Sequence, residues 1–166
     1  MTKISIRRDR AFRAIEQNNV SALTNAVKNQ SEANWRAKGS ETGSTLLEYA
    51  CQLGYVEVAT WLIDHGADID AYCTEIFPDS QILECVDEFV AYSSPLWKAI
   101  LFNQLGAFEL LIRRGVNQNM PTCRFGSYVS TCRTFMAINP MFKAIVEKVL
   151  LEDEAALGEV AVRHRL

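Results

Sequence analysis

The sequence predicts an all-α solenoid of about four helix-turn-helix units with long loops between them, and two observations carry that expectation. The stretches Gly43–Ala71 and Ser94–Asn119 share one internal register of short helix, tight turn, longer helix and terminating glycine. Farther along, Asn139-Pro-Met-Phe-Lys-Ala-Ile145 nearly repeats Ser94-Pro-Leu-Trp-Lys-Ala-Ile100. Self-similarity at intervals of a few tens of residues marks stacked units, because one such unit cannot bury both of its apolar faces alone.

The units follow in chain order. A worn first unit, residues 8–36, places Ala14, Asn18, Val20, Ala22, Leu23, Ala26, Val27 and Asn34 where the second, 43–71, has Ala50, Gly54, Val56, Val58, Ala59, Leu62, Ile63 and Asp70. The third unit covers 94–120 and the fourth 139–164, together making one domain over 1–166. Ser94 and Asn139 are helix N-caps, followed by Pro95 and Pro140 at the first helical position, where a missing N–H costs nothing. Gly66 and Gly115 close second helices in the left-handed conformation. Small Ala14, Ala50, Ala99 and Ala144 let first helices approach one another, while Val58, Trp61 and Leu62, or Phe108, Leu111 and Ile112, give the second helices an apolar stripe. Arg7–Arg13 and Glu152–Arg165 supply polar outer faces at the two ends.

Gly43, Thr45, Leu47, Ala50, Gly54, Leu62, Gly66, Ala67 and Asp68, with Ile69 after them, fit the pattern G-x-T-P-L-H-x-A-A-x-x-G, helix, G-A-D-V-N-A. In these residues the chain resembles the ankyrin-repeat family. The resemblance implies an ankyrin solenoid that binds other proteins and has no chemistry of its own. The departures are specific: Asn103 replaces the turn glycine, and Glu48, Trp97 and Phe142 stand where the family has histidine.

Spacing also departs. The alanines at 14, 50, 99 and 144 lie 36, 49 and 45 residues apart, against an ankyrin period of about 33. The excess falls in two enlarged fingers, 72–93 and 120–138. Long loops in a compact domain are usually functional or disordered, and these are too apolar for disorder. The first finger holds Tyr72, Phe77, Phe89 and Tyr92, with Ile82 to Val90 able to form a short amphipathic helix; the second holds Phe125 and Tyr128. Such side chains either pack on the repeats or form an exposed binding surface. The concave positions Gln52, Leu53, Leu101 and Phe102 pose the same choice, Leu101 and Phe102 lying under the fingers or forming a hot spot.

Charge is lopsided. Residues 1–40 are net +5 and 94–166 net +3, while 41–93 hold eleven acidic residues and no Lys or Arg. That field repels nucleic acid and attracts basic surfaces, which makes Glu75, Asp79, Glu84, Asp87 and Glu88 of the first finger candidate contacts. The first ten residues have basic side chains but no apolar run, so no signal peptide or membrane span is expected. Five cysteines without a close pair fit reduced thiols in a cytoplasmic protein. Cys73, Cys85, Cys123 and Cys132 leave zinc or finger disulfides as lesser alternatives, their spacings of 12 and 9 being long for a structural zinc site. His65 and His164 have no catalytic setting, and the Gly39–Gly43 stretch lacks a phosphate-loop pattern. No cofactor, metal or catalytic residue is expected.

The resulting expectation is a monomeric, non-enzymatic interaction module for a protein with a basic surface. Its stand-alone character is similar to that of small ankyrin proteins that act as inhibitors or as immunity proteins for toxins. The alternative is an adaptor or secreted effector that engages a host or signalling protein.

Overall fold

The computed structural model describes residues 3–37, 43–78, 88–125 and 128–163. The first helices of successive units are α1 (Lys3–Glu16), α4 (Leu46–Leu53) and α6 (Pro95–Leu101); their partners are α2 (Val20–Ala26), α5 (Val56–Asp64) and α7 (Leu105–Arg113). A one-turn helix, α3 (Gln30–Ala33), follows α2. First helices stack on first helices and second on second. The core runs along their shared interior through Ile15, Leu23, Leu46, Leu62, Leu96 and Leu111, all fully buried.

The repeat register is visible in the backbone. Asn18, Gly54 and Asn103 all have positive φ, at 48°, 74° and 54°. This left-handed residue ends each first helix and sends the chain back, a conformation glycine adopts freely and asparagine tolerates. The next amide then bonds to the carbonyl of the equivalent alanine: Asn19 to Ala14 at 2.9 Å, Tyr55 to Ala50 at 3.1 Å, Gln104 to Ala99 at 2.8 Å. The first unit is clipped to the second, and the second to the third, by an Asx side chain. Asn34 Oδ1 accepts from the Asp68 amide at 2.7 Å, and Asp70 Oδ1 accepts from the Asn117 amide at 2.8 Å. Thr45 and Ser94 cap α4 and α6 by accepting from the amides three residues on.

Two expectations are corrected. The fold is mostly helical but not all-α, because the enlarged fingers build a four-stranded antiparallel sheet in the order β1-β2-β3-β4. Its strands are β1 (Cys73–Pro78), β2 (Glu88–Ser93), β3 (Pro121–Phe125) and β4 (Tyr128–Thr131). Residues 88–90 are therefore strand, not the end of a helix begun at Ile82; residues 79–87 lie outside the described ones. Each finger is a hairpin, and β2 pairs with β3 through Phe89↔Phe125, Val90↔Arg124 and Ala91↔Cys123. Joining two hairpins satisfies backbone groups that each would otherwise present as an open edge.

The second correction concerns residues 139–164, which were expected to form a helix pair. They contain one helix, α9 (Pro140–Arg163), preceded by α8 (Cys132–Ile138) inside the expected second finger. Helix α8 takes the first-helix place beside α6, with Phe135 and Trp97 rings 4.7 Å apart. Helix α9 takes the second-helix place beside α7, with Phe142 and Phe108 rings 4.6 Å apart. The cap chemistry of Asn139 is as expected, its Oδ1 accepting from the Met141 amide at 3.0 Å. The heptad thus starts a helix in the same way as Ser94–Ile100 but in the other layer.

Candidate protein-binding surface

An apolar concavity lies where α6 and α8 end and α9 begins. It measures about 640 Å³, and Trp97, Ile100, Phe135 and Phe142 form its interior wall. Three large side chains at its rim face solvent: Leu101 is 56% exposed, Ile138 76% and Met141 51%. They sit at the last residues of α6 and α8 and the second residue of α9, so helix termination brings them together. Phe102, the C-cap of α6, is exposed beside the groove with the Lys98 ammonium 5.9 Å from its ring centroid, within cation–π range. Leu101 and Phe102 are consequently not covered by the described parts of the fingers.

The other expected contact residues are spread over three places. Gln52 and Leu53 are half-buried near the end of α4, where Leu53 packs against the core. Tyr72 is exposed at the foot of β1, its ring 6.4 Å from that of the half-buried Tyr92. Its carbonyl accepts from Arg36 at 3.1 Å. Glu75 and Phe77 lie on β1 opposite Ala91 and Phe89, and Glu88 lies on β2 opposite Pro78. Phe125 and Tyr128 are register partners of β3 and β4. Asp79, Glu84 and Asp87 lie outside the described residues. Ile138 and Met141, exposed at the groove with Leu101, were missed because Ile138 read as the end of a finger loop and Met141 as the start of a first helix.

Glu48 was counted with the acidic field, but its side chain is fully buried. Its Oε2 accepts from Ser93 Oγ at 3.1 Å and from Cys73 Sγ at 3.8 Å, which ties the base of both first-finger strands to α4. Oε1 is buried with no hydrogen-bond partner among the described residues. Burial raises its pKa above the ordinary 4.5, against the lowering effects of Ser93, Arg36, Lys98 and the Thr45 cap. Other acids of the block are also committed internally: Asp64 pairs with Arg114 at 2.6 Å, and Asp70 serves the inter-unit clip.

The described cysteines are free thiols, and no three His, Cys, Asp or Glu residues among the described ones group as metal ligands. Cys73, Cys123 and Cys132 lie on β1, β3 and α8, and Cys85 is outside the described residues. His65 is engaged structurally, stacked on Trp61 at 3.8 Å with Nδ1 2.7 Å from the Trp61 carbonyl. No helix among the described residues is long and apolar enough to cross a membrane.

Residues 42–73 match the family model described as the ankyrin repeat. The chain carries an ankyrin repeat. That repeat contains α4 and α5 and ends on the first residue of β1, so Glu48 lies inside it and the groove lies beyond it. Ankyrin repeats generally bind proteins. No curated protein matches the chain.

Proposed function

We propose that this protein is a non-enzymatic ankyrin-type module that recognises another protein through the groove at the α6, α8 and α9 junction, assisted by the fused fingers. The supporting observation is the cluster of Leu101, Ile138 and Met141 exposed around a ready-formed concavity. Exposed apolar residues are ordinary when scattered, but gathered round a pocket with aromatic walls they have the make-up of a binding hot spot. Of the eleven acids of residues 41–93, those apart from the buried Glu48, the Arg114-paired Asp64 and the inter-unit Asp70 favour a partner with a basic surface and faster, salt-sensitive capture. An inhibitor or immunity protein that works by covering such a surface, for example on a toxin, is the specific role we favour.

The test is capture from native lysate with the intact protein and with a Leu101→Asp/Ile138→Asp variant of matching circular dichroism. Loss of one captured protein by the variant alone supports the proposal. Equal capture by both removes the groove from the account.

A further inference from the structure

A second concavity lies at the opposite end of the stack, between α1 and α2, and its chemistry is unlike that of the apolar groove. It measures about 350 Å³. Arg7, Arg10 and Arg13 line it from α1, Gln17 from the turn that follows and Asn25 from α2. Their spacing of three and four residues gathers the α1 side chains on one helix face. The floor is alanine, at 14, 22 and 26, so the small side chains leave a depression that larger ones would fill.

The three arginines are not equivalent. Arg7 is committed to the fold: its guanidinium donates to the Ala26 carbonyl at 3.2 and 3.1 Å, is ion-paired with Glu32, and lies over the Trp35 ring. It thereby occupies a carbonyl at the C-terminal end of α2 that would otherwise repel an anion. Arg10 and Arg13 are exposed and have no ion pair among the described residues. Like charges three residues apart on a helix are mutually destabilising; of the two, only Arg13 also serves α1, as the cation in its last turn. The end of a solenoid needs only a polar surface; here it is concave, of one sign, and flanked by the Gln17 and Asn25 amides.

We propose that this groove is an oxyanion site that takes the clustered carboxylates of an acidic polypeptide segment. Guanidinium forks bind carboxylates with two parallel hydrogen bonds, and two uncompensated arginines match two neighbouring carboxylates. A polypeptide is favoured over nucleic acid or an anionic membrane by charge. The chain is net −3, with an acidic middle block that repels an extended polyanion, whereas a short acidic segment meets only the local groove. The site is independent of the apolar groove, so each proposal stands or falls alone.

The probe is fluorescein-labelled hexaglutamate, followed by anisotropy at low ionic strength, where exposed charges are least screened. Saturable binding is expected, weakened at least tenfold in Arg10→Gln/Arg13→Gln. Ala22→Leu, which fills the floor and keeps every charge, should weaken it about fivefold, while Ile138→Asp leaves it unchanged. Absence of saturable binding, or equal binding by the double variant, overturns the proposal. Full binding by Ala22→Leu would reduce it to unspecific attraction. Tighter binding of an oligothymidylate or of inorganic phosphate, lost in the same double variant, would overturn the polypeptide assignment.

Discussion

Replacing Glu48 by Gln isolates the one fully buried acid of the ankyrin repeat, and its effect must depend on pH. In the folded protein burial holds the Glu48 pKa above 4.5, whereas the unfolded chain exposes an ordinary carboxylate. Between the two values the folded state keeps a proton that the unfolded state has released. Stability from this group is therefore complete below the unfolded value and is lost as pH rises through the folded one. A single group changes stability by at most about 1.4 kcal/mol per pH unit. Glutamine keeps the acceptor for Ser93 Oγ and Cys73 Sγ and never ionises. The stability of Glu48→Gln relative to wild type, from urea unfolding at a series of pH values, should rise from near pH 4.5 at up to that slope and then level off. Subtraction removes groups common to both proteins, including Glu109, whose pKa is lowered by Arg113 and Lys148 and whose contribution runs the other way, lost as pH falls. A difference that stays constant from acid to neutral pH would refute the reasoning.

Three further outcomes are expected. Phe142→Ala should cost about 3–5 kcal/mol in urea unfolding, because the ring is 1% exposed and packs at a tilt against Phe108; a cost below about 1 kcal/mol would mean that α9 does not cover α7. Gly54→Ala, at φ 74°, should cost about 1–2 kcal/mol, while Asn103→Gly at the equivalent turn should change stability by less than about 1 kcal/mol; the reverse order would break the equivalence of the two units. In a Cys85→Ser background, the buried thiols of Cys51 and Cys132 should react with a disulfide reagent only as the protein unfolds, since burial raises both and pushes Cys132 up to about 12; rapid native reaction at either would show that its cover is open.

The helical stack was legible because its signals are local. A left-handed turn residue, a Ser or Thr cap and a glycine stop each act within a few residues, and Asn18 and Asn103 could be aligned with Gly54 before their shared conformation was seen. The sheet was not legible, because β2 pairs with β3 across more than thirty residues of sequence and apolar finger residues look the same whether a hairpin or a helix buries them. The fourth unit misled for a different reason. Asn139 and Pro140 specify that a helix starts, which cap chemistry fixes, but not which layer it joins, which Phe108 and Trp97 decide through contact with Phe142 and Phe135. At the candidate surface Leu101 and Phe102 stood out as apolar residues on a face expected to be wet. Ile138 and Met141 joined them only once α8 was in place. Glu48 shows the limit of counting charge along a chain, since a carboxylate among acids in sequence can be wholly internal in space.

The most direct measurement is amide hydrogen exchange of the protein alone and with its captured partner. The account predicts added protection at the end of α6 and across the α8–α9 junction, with smaller changes in the finger sheet. Protection confined to the α1–α2 end, or to the sheet with the junction unchanged, would contradict the claim that the apolar groove is where this protein binds its partner.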